Sequence, residues 1–210
     1  MKITKLGHCC LLIEIKGKRI LTDPGSYTVS SHSKLEKIDY ILFTHEHQDH
    51  YHSESLKIII ENNPQAIIYS NNSVSKLLNE QAIKHIQINH NDTVLLGEIM
   101  VIGIGNKHAQ MHKSIPLSSN IGYLIDNRLW YPGDAYTDPE RPVEILALPV
   151  SGPWMKLSEA IDYALLLKPS KVFPVHDGTR ISSVHVLPEK ILRPQGIDFI
   201  IMVEGDVREF

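Results

Sequence analysis

The sequence predicts an α/β sandwich, in which two β-rich halves pack face to face with helices outside. Three observations lead there. Short apolar runs of strand composition alternate with helical segments along the chain. Two hairpins share one build: "LLIEIKGKRILTDPGS" ends in Asp-Pro-Gly, and "YLIDNRLWYPGDA" ends in Pro-Gly-Asp. Each is followed by a loop and an apolar strand, "IDYILFTHEH" and "VEILALPVSG". The residues match weakly, but the order of elements repeats, as it does when a β-rich half is duplicated. The 210 residues, 42% of them hydrophobic, suffice for one sizeable core. No low-complexity tract or linker interrupts them, so residues 1–210 read as a single domain.

The elements follow in order. "CCLLIEI" and "KRILTDPG" are strands joined by a turn at Lys16-Gly17, and "TDPG" ends the second with turn chemistry. "KIDYILFT" is a third strand. "SESLKIIIENN" is a helix capped by Ser53 or Ser55 and stopped by Asn-Asn-Pro. "AIIYS" is a short strand and "NSVSKLLNEQ" a second helix. "HIQIN", "DTVLLGE" and "IMVIGIG" are further strands. After the second hairpin, which turns at Asp126-Asn127, come the strand "EILALPV" and the helix "KLSEAIDYALLLKP". The strand "KVFPVHDG" and the run "IDFIIMVEGD" complete the chain.

Net charge is −3 and no long basic run occurs, so neither nucleic acid nor an anionic membrane is an expected partner. No stretch nears the ~18 apolar residues of a membrane span. The opening "MKITKLGHCCLLIEIKGK" lacks the form of a signal peptide, its short apolar run being broken by Glu14. The two cysteines, Cys9 and Cys10, are adjacent, and neighbours in a strand face opposite ways. With apolar residues around them they read as reduced strand residues rather than metal ligands, which suits a cytoplasmic setting.

The chemistry concentrates in "FTHEHQDHYH", Phe43 to His52, directly after an apolar strand. Residues two apart in an extended segment project from one face, so His45 and His47 can grip one cation together. Asp49 and His50 fall in the turn beyond and can face a second. Imidazole with carboxylate is a ligand set for zinc, manganese or iron. One loop cannot complete two sites, and three other strand ends offer ligand types: His108 and His112 in "GIGNKHAQMH", Asp134 in "YPGDA", and His176 followed by Asp177 in "FPVHDG". His52, one position past the cluster, reads as surface.

The run "HEHQDH" from His45 to His50 satisfies H-x-H-x-D-H, the signature of the metallo-β-lactamase fold superfamily, and the sequence resembles that family over nearly its whole length. The later histidine, the "GD" aspartate and the last histidine also come in the family's order, and Asp23 in "LTDPG" matches its early aspartate. The opening "LGHCCLLIE" and the compact length resemble its small bacterial metal-dependent hydrolases, including lactonases akin to the ascorbate-6-phosphate lactonases. The resemblance implies a four-layer αββα sandwich of two mixed β-sheets with a dinuclear site at one edge. It also implies roles. His45, His47 and His108, preferred over His112, would hold the first metal. Asp49, His50 and His176 would hold the second, and Asp134 would bridge the two. Two divalent ions are expected, zinc first, with manganese or iron as alternatives.

The expected reaction is attack of a metal-bridged hydroxide on a small-molecule lactone, ester or phosphodiester, with Asp49 orienting the nucleophile or relaying its proton. Asp23 is either a positioner of a ligand imidazole or a plain turn residue. His8 is either a site residue, as the "GH" resemblance suggests, or a satisfied strand histidine. Trp154 in "PVSGPWMK" either walls a substrate pocket or packs on the next helix. Two rival readings stand beside the hydrolase, a mono-iron dioxygenase on the same fold and a catalytically silent binding module.

Overall fold

The computed structural model describes residues 1–178 and 181–210, without the side chains of 181–183. In chain order the first half contains β1 (Lys2–Gly7), β2 (Cys10–Ile15), β3 (Lys18–Thr22), α1 (Val29–His32), β4 (Tyr40–Phe43), α2 (Ser53–Asn62), β5 (Ile67–Ser70), α3 (Asn72–Glu80) and β6 (Ile86–Gln87). The second contains β7 (Thr93–Leu96), β8 (Ile99–Ile104), β9 (Gly122–Ile125), β10 (Leu129–Tyr131), β11 (Ile145–Pro149), α4 (Leu157–Leu167), β12 (Lys171–Val175), α5 (Ile181–Leu192), β13 (Asp198–Phe199) and β14 (Val207–Glu209).

The strands form two seven-stranded sheets, in the orders β14-β1-β2-β3-β4-β5-β6 and β13-β12-β11-β10-β9-β8-β7. In the first, β2 and β3 pair antiparallel and β3 to β6 run parallel. In the second, β9 and β10 pair antiparallel and β10 to β13 run parallel. The repeated hairpins of the sequence therefore start matching halves. Both turn through two residues of positive φ, Lys16-Gly17 and Asp126-Asn127, the geometry that matches strand twist.

Alternation along the strands builds the layers. Leu11 and Ile13 of β2 face the other sheet, where Val101, Tyr123, Ala147 and Phe173 meet them. Leu12, Leu21, Ile41 and Phe43 face outward onto Leu56, Ile59, Val74 and Leu78 of α2 and α3. In the second sheet Leu146 and Leu148 pack outward onto Ala160, Ile161 and Ala164 of α4. The result is the expected αββα sandwich of mixed sheets. Among the described residues no helix is long and apolar enough to cross a membrane.

The structure departs from the sequence reading at several elements: strand β1 (Lys2–Gly7) precedes the first strand expected, and helix α1 (Val29–His32) lies in a stretch that read as loop. "HIQIN" contributes only the two-residue edge strand β6. "IDFIIMVEGD" is not one strand: β13 joins the second sheet, Met202 is buried between, and β14 crosses back to pair with β1 of the first. Helix α5, with Pro188 inside it, was not foreseen. The cap of α2 is His52, whose ring accepts from Ser55 N, rather than Ser53 or Ser55, so His52 is half-buried and structural.

Candidate metal centre

The site gathers at one edge of the sandwich, where strands of both sheets end. Thr44 to Tyr51 leave β4, Asp23 follows β3, and His8 and Cys9 form the turn between β1 and β2. From the second sheet, His108 lies beyond β8, Asp134 beyond β10, Trp154 beyond β11 and His176 beyond β12. Three of these residues hold left-handed backbone conformations without being glycine: His8 at φ 46°, Asp23 at 39° and His176 at 54°. Such positions cost about 1–3 kcal/mol each and persist where surrounding structure enforces them, commonly at functional sites.

His45, His47, His108 and Asp134 form one group whose ligand atoms all lie within 4.8 Å of one another. His45 Nε2 and His108 Nε2 are 3.8 Å and 3.4 Å from Asp134 Oδ2, and His45 Nε2 is 3.1 Å from His47 Nδ1. A second group is centred on His50 and His176. His50 Nε2 is 3.1 Å from Asp134 Oδ1, and His176 Nε2 is 2.9 Å from Asp134 Oδ2 and 3.4 Å from Asp49 Oδ2. Asp134 thus stands between the groups. Its Oδ2 accepts from Trp154 Nε1 at 2.9 Å, and its backbone N–H donates to Asn120 Oδ1.

The far nitrogens fix which lone pairs face inward. Asp23 accepts from Thr44 Oγ1, so that hydroxyl in turn accepts from His45 Nδ1–H at 3.0 Å. His50 Nδ1–H donates to Asp23 at 2.8 Å, and His108 Nδ1–H donates to the Ala109 carbonyl. The Nε2 atoms of His45, His50 and His108 are therefore presented to the site, the arrangement that carboxylate and carbonyl partners impose on ligating histidines. His50 Nε2, His108 Nε2, His176 Nε2 and Asp134 Oδ1 are buried and have no hydrogen-bond partner among the described residues. They lie close together yet form no hydrogen bonds with one another. Buried polar atoms are rarely left so, and a divalent cation satisfies imidazole and carboxylate together. The donor set fits.

Charge tells the same story. Burial resists ionisation of Asp134, but His50 and His176 outweigh it and hold its carboxyl well below the usual range. Burial likewise depresses His50 and His176, and Asp134 overcomes it, holding both well above the ordinary imidazole value. His45 is pushed well below that value by burial and by His50. The buried negative charge of Asp134 demands compensation, and bound metal supplies it by displacing such protons.

Asp49 sits at the boundary with solvent, its side chain 24% exposed. Gly178 N–H donates to His8 Nδ1, so His8 Nε2–H donates to Asp49 Oδ2 at 3.0 Å. Both nitrogens of His8 are thereby engaged. Burial opposes ionisation of Asp49, yet the adjacent His176 and the bond from His8 hold it well below its ordinary value. Beside it opens a cavity of about 900 Å³, bordered by Tyr27, Gln48, Asp49, Ser151, His176 and Glu204.

Of the residues singled out in the sequence, His45, His47, Asp49, His50, His108, Asp134 and His176 come together, with His8, Asp23 and Trp154 against them. His112 does not: it is exposed and bonds Ser114 in the loop. Asp23 is both turn and positioner, since the same carboxylate that ends β3 holds His50. Trp154 walls a small cavity over the site, as one reading had it, and also holds Asp134. Asp177 faces away, tied to buried Lys5 and to His185. Sequence reasoning missed Thr44, Asn120 and Tyr131, which brace Asp23 and Asp134. It also missed that Cys9 faces the second group. A polar residue inside an apolar strand end was the available signal for Thr44 alone.

Residues 2–176 match the family described as "Beta-lactamase superfamily domain". A UPF0173 protein of Pyrococcus abyssi is 34% identical over 187 residues, covering 85% of this chain and 84% of that protein. A UPF0173 metal-dependent hydrolase of Nanoarchaeum equitans is 28% identical over 193 residues, covering 85% of each. Igni18, a metallo hydrolase of Ignicoccus hospitalis, shares the fold with a TM-score of 0.81 at 21% identity, over 100% of this chain and 98% of that one. The motif, the paired sheets and the match over most of the length lead to one conclusion: the chain belongs to the metallo-β-lactamase fold superfamily, among the UPF0173 proteins.

Proposed function

We propose that the protein is a dinuclear metal-dependent hydrolase of small-molecule lactones or esters, with phosphodiesters as the second substrate class. The observation that carries this is the pair of buried donor groups that both approach Asp134, with Nε2 atoms that have no hydrogen-bond partner among the described residues, beside an open cavity. Hydrolase relatives in the same family support it. His45, His47 and His108 would hold one cation, and His50, His176 and Asp49 the other, with Asp134 between them. Two divalent ions so held supply Lewis acidity and make water nucleophilic at neutral pH.

The chain's own groups do the rest. Asp49, ionised at neutral pH and steadied by His8, borders the cavity, where it would orient water and relay its proton. Trp154 keeps the Asp134 carboxylate from rotating. The cavity wall favours an uncharged acyl substrate. Glu204 adds a carboxylate there, and Lys5 spends its ammonium on Asp177, the Pro174 carbonyl and the Met202 carbonyl.

Elemental analysis of protein purified without added metal or a histidine tag, followed by a lactone, ester and phosphodiester panel, tests the proposal. Close to two zinc or manganese ions per chain are expected, with hydrolysis abolished in His45→Ala and Asp134→Ala. A single iron with oxygen uptake would replace this reading with the dioxygenase. Full activity in both variants would overturn the mechanism.

A further inference from the structure

We propose that Cys9 supplies a thiolate donor to the second cation site, beside His50 and His176; this rests on the dinuclear reading above. The ligand atoms of His8, Cys9, His50 and His176 all lie within 4.8 Å of one another, and all four residues are buried. His8 is removed from that set by its own bonds, since Gly178 N–H occupies Nδ1 and Asp49 occupies Nε2–H. Cys9, His50 and His176 remain. His50 and His176, 0% and 5% exposed, each leave Nε2 buried and without a hydrogen-bond partner among the described residues. The Cys9 sulfur lies within 4.8 Å of a ring nitrogen of each histidine.

The local backbone explains how a strand cysteine arrives there. The β1–β2 pairing shifts register between Lys5 and Gly7, and Gly7 and His8 follow at φ 122° and 46°. The tight turn swings His8 and Cys9 toward the site, and Cys10 resumes the strand facing the outer layer with Leu12 and Leu21. The Cys9 carbonyl accepts from Thr22 Oγ1–H at 3.2 Å and shares the single Tyr131 hydroxyl proton, at 2.7 Å, with Asp23. The sulfur is thus held at a fixed point of the inter-sheet layer. Zinc holds sulfur at about 2.3 Å and imidazole nitrogen at about 2.0–2.1 Å and accepts a fifth ligand, so Cys9 joins His50, His176 and the two carboxylates by a small closing of the sulfur and ring nitrogens, which already lie within 4.8 Å of one another. A sulfur donor makes this site softer than its all-nitrogen-and-oxygen neighbour, and it favours zinc over manganese.

The full-length protein, stripped of metal and reloaded with cobalt(II), gives the readout without reference to activity. Wild type is expected to show a near-ultraviolet sulfur-to-cobalt charge-transfer band. Cys9→Ser should lose that band, and Cys10→Ser should keep it. Zinc-edge X-ray absorption of the wild type needs no variant and should register a sulfur neighbour at about 2.3 Å. Two cobalt ions bound with visible ligand-field bands, no charge-transfer band and a shell of light atoms only would overturn the role of Cys9 and leave the dinuclear reading standing. Failure to bind cobalt at all would overturn both.

Discussion

Asp23 accepts four hydrogen bonds while fully buried: from Thr44 N, Thr44 Oγ1, His50 Nδ1 and Tyr131 Oη, at 2.7–2.8 Å. Three of them converge on Oδ2. An asparagine has the same shape but one acceptor oxygen, so in either orientation its amide N–H₂ meets a donor. Each unsatisfied buried group costs about 1–3 kcal/mol, and where the N–H₂ takes the place of Oδ2, His50 loses the bond that selects its inward-facing tautomer. Asp23→Asn is expected to lower stability by about 3 kcal/mol in urea titration. It should also weaken the second cation by roughly 10–100-fold, the usual penalty for removing the partner of a ligating histidine, in competition with a chromogenic chelator. Unchanged metal affinity would show that the carboxylate serves the turn alone.

At the scale of elements, the two corresponding turns carry the site. Asp-Pro-Gly after β3 and Pro-Gly-Asp after β10 each place a glycine against a neighbouring segment. A Cβ at Gly25 would stand 1.9 Å from the carbonyl oxygen of Asp49, and one at Gly133 would stand 2.3 Å from Asn120 Oδ1. Gly25 has ordinary backbone angles, so its requirement is space. Gly25→Ala must push back the segment that carries Asp49 and His50. A loss of about 1–3 kcal/mol is expected from such overpacking, together with reduced metal content by elemental analysis; normal content with normal melting would disprove the contact. These turns also mark what the sequence makes legible. Turn residues, strand alternation and a ligand run after a buried strand are local signals, and they sufficed for the hairpins, the sheets' cores and the meeting of His45, His47, Asp49 and His50. The pairing of β14 with β1, the burial of Lys5 on Asp177 and the approach of Cys9 to His176 join residues far apart in sequence, where no local pattern reports the partner. Helix α5 was hidden by Pro188, which weakens the helical signal of its segment.

At the scale of the whole molecule, each of the two groups of donors draws on both sheets. His45, His47, Asp49 and His50 hang from the first, and His108, Asp134 and His176 from the second. A cation bound by either group ties one half of the sandwich to the other at the open edge, while the apolar layer between Leu11, Ile13, Tyr123 and Phe173 joins them deeper down. Removing metal leaves that layer intact but frees the edge and restores the mutual repulsion of buried imidazoles. A ligand present at a thousand times its dissociation constant stabilises the folded state by about 4 kcal/mol. In a domain of this size each kcal/mol moves the melting temperature by roughly 2–4 °C. Chelation is therefore expected to lower the melting temperature by about 10 °C with little change in far-ultraviolet circular dichroism at room temperature, and added zinc should restore it. His45→Ala, which breaks the tie from the first sheet, should melt lower at the outset and respond less to chelator. A melting temperature indifferent to chelator in wild type would mean that the sheets are held by their apolar layer alone and that the edge contributes only chemistry.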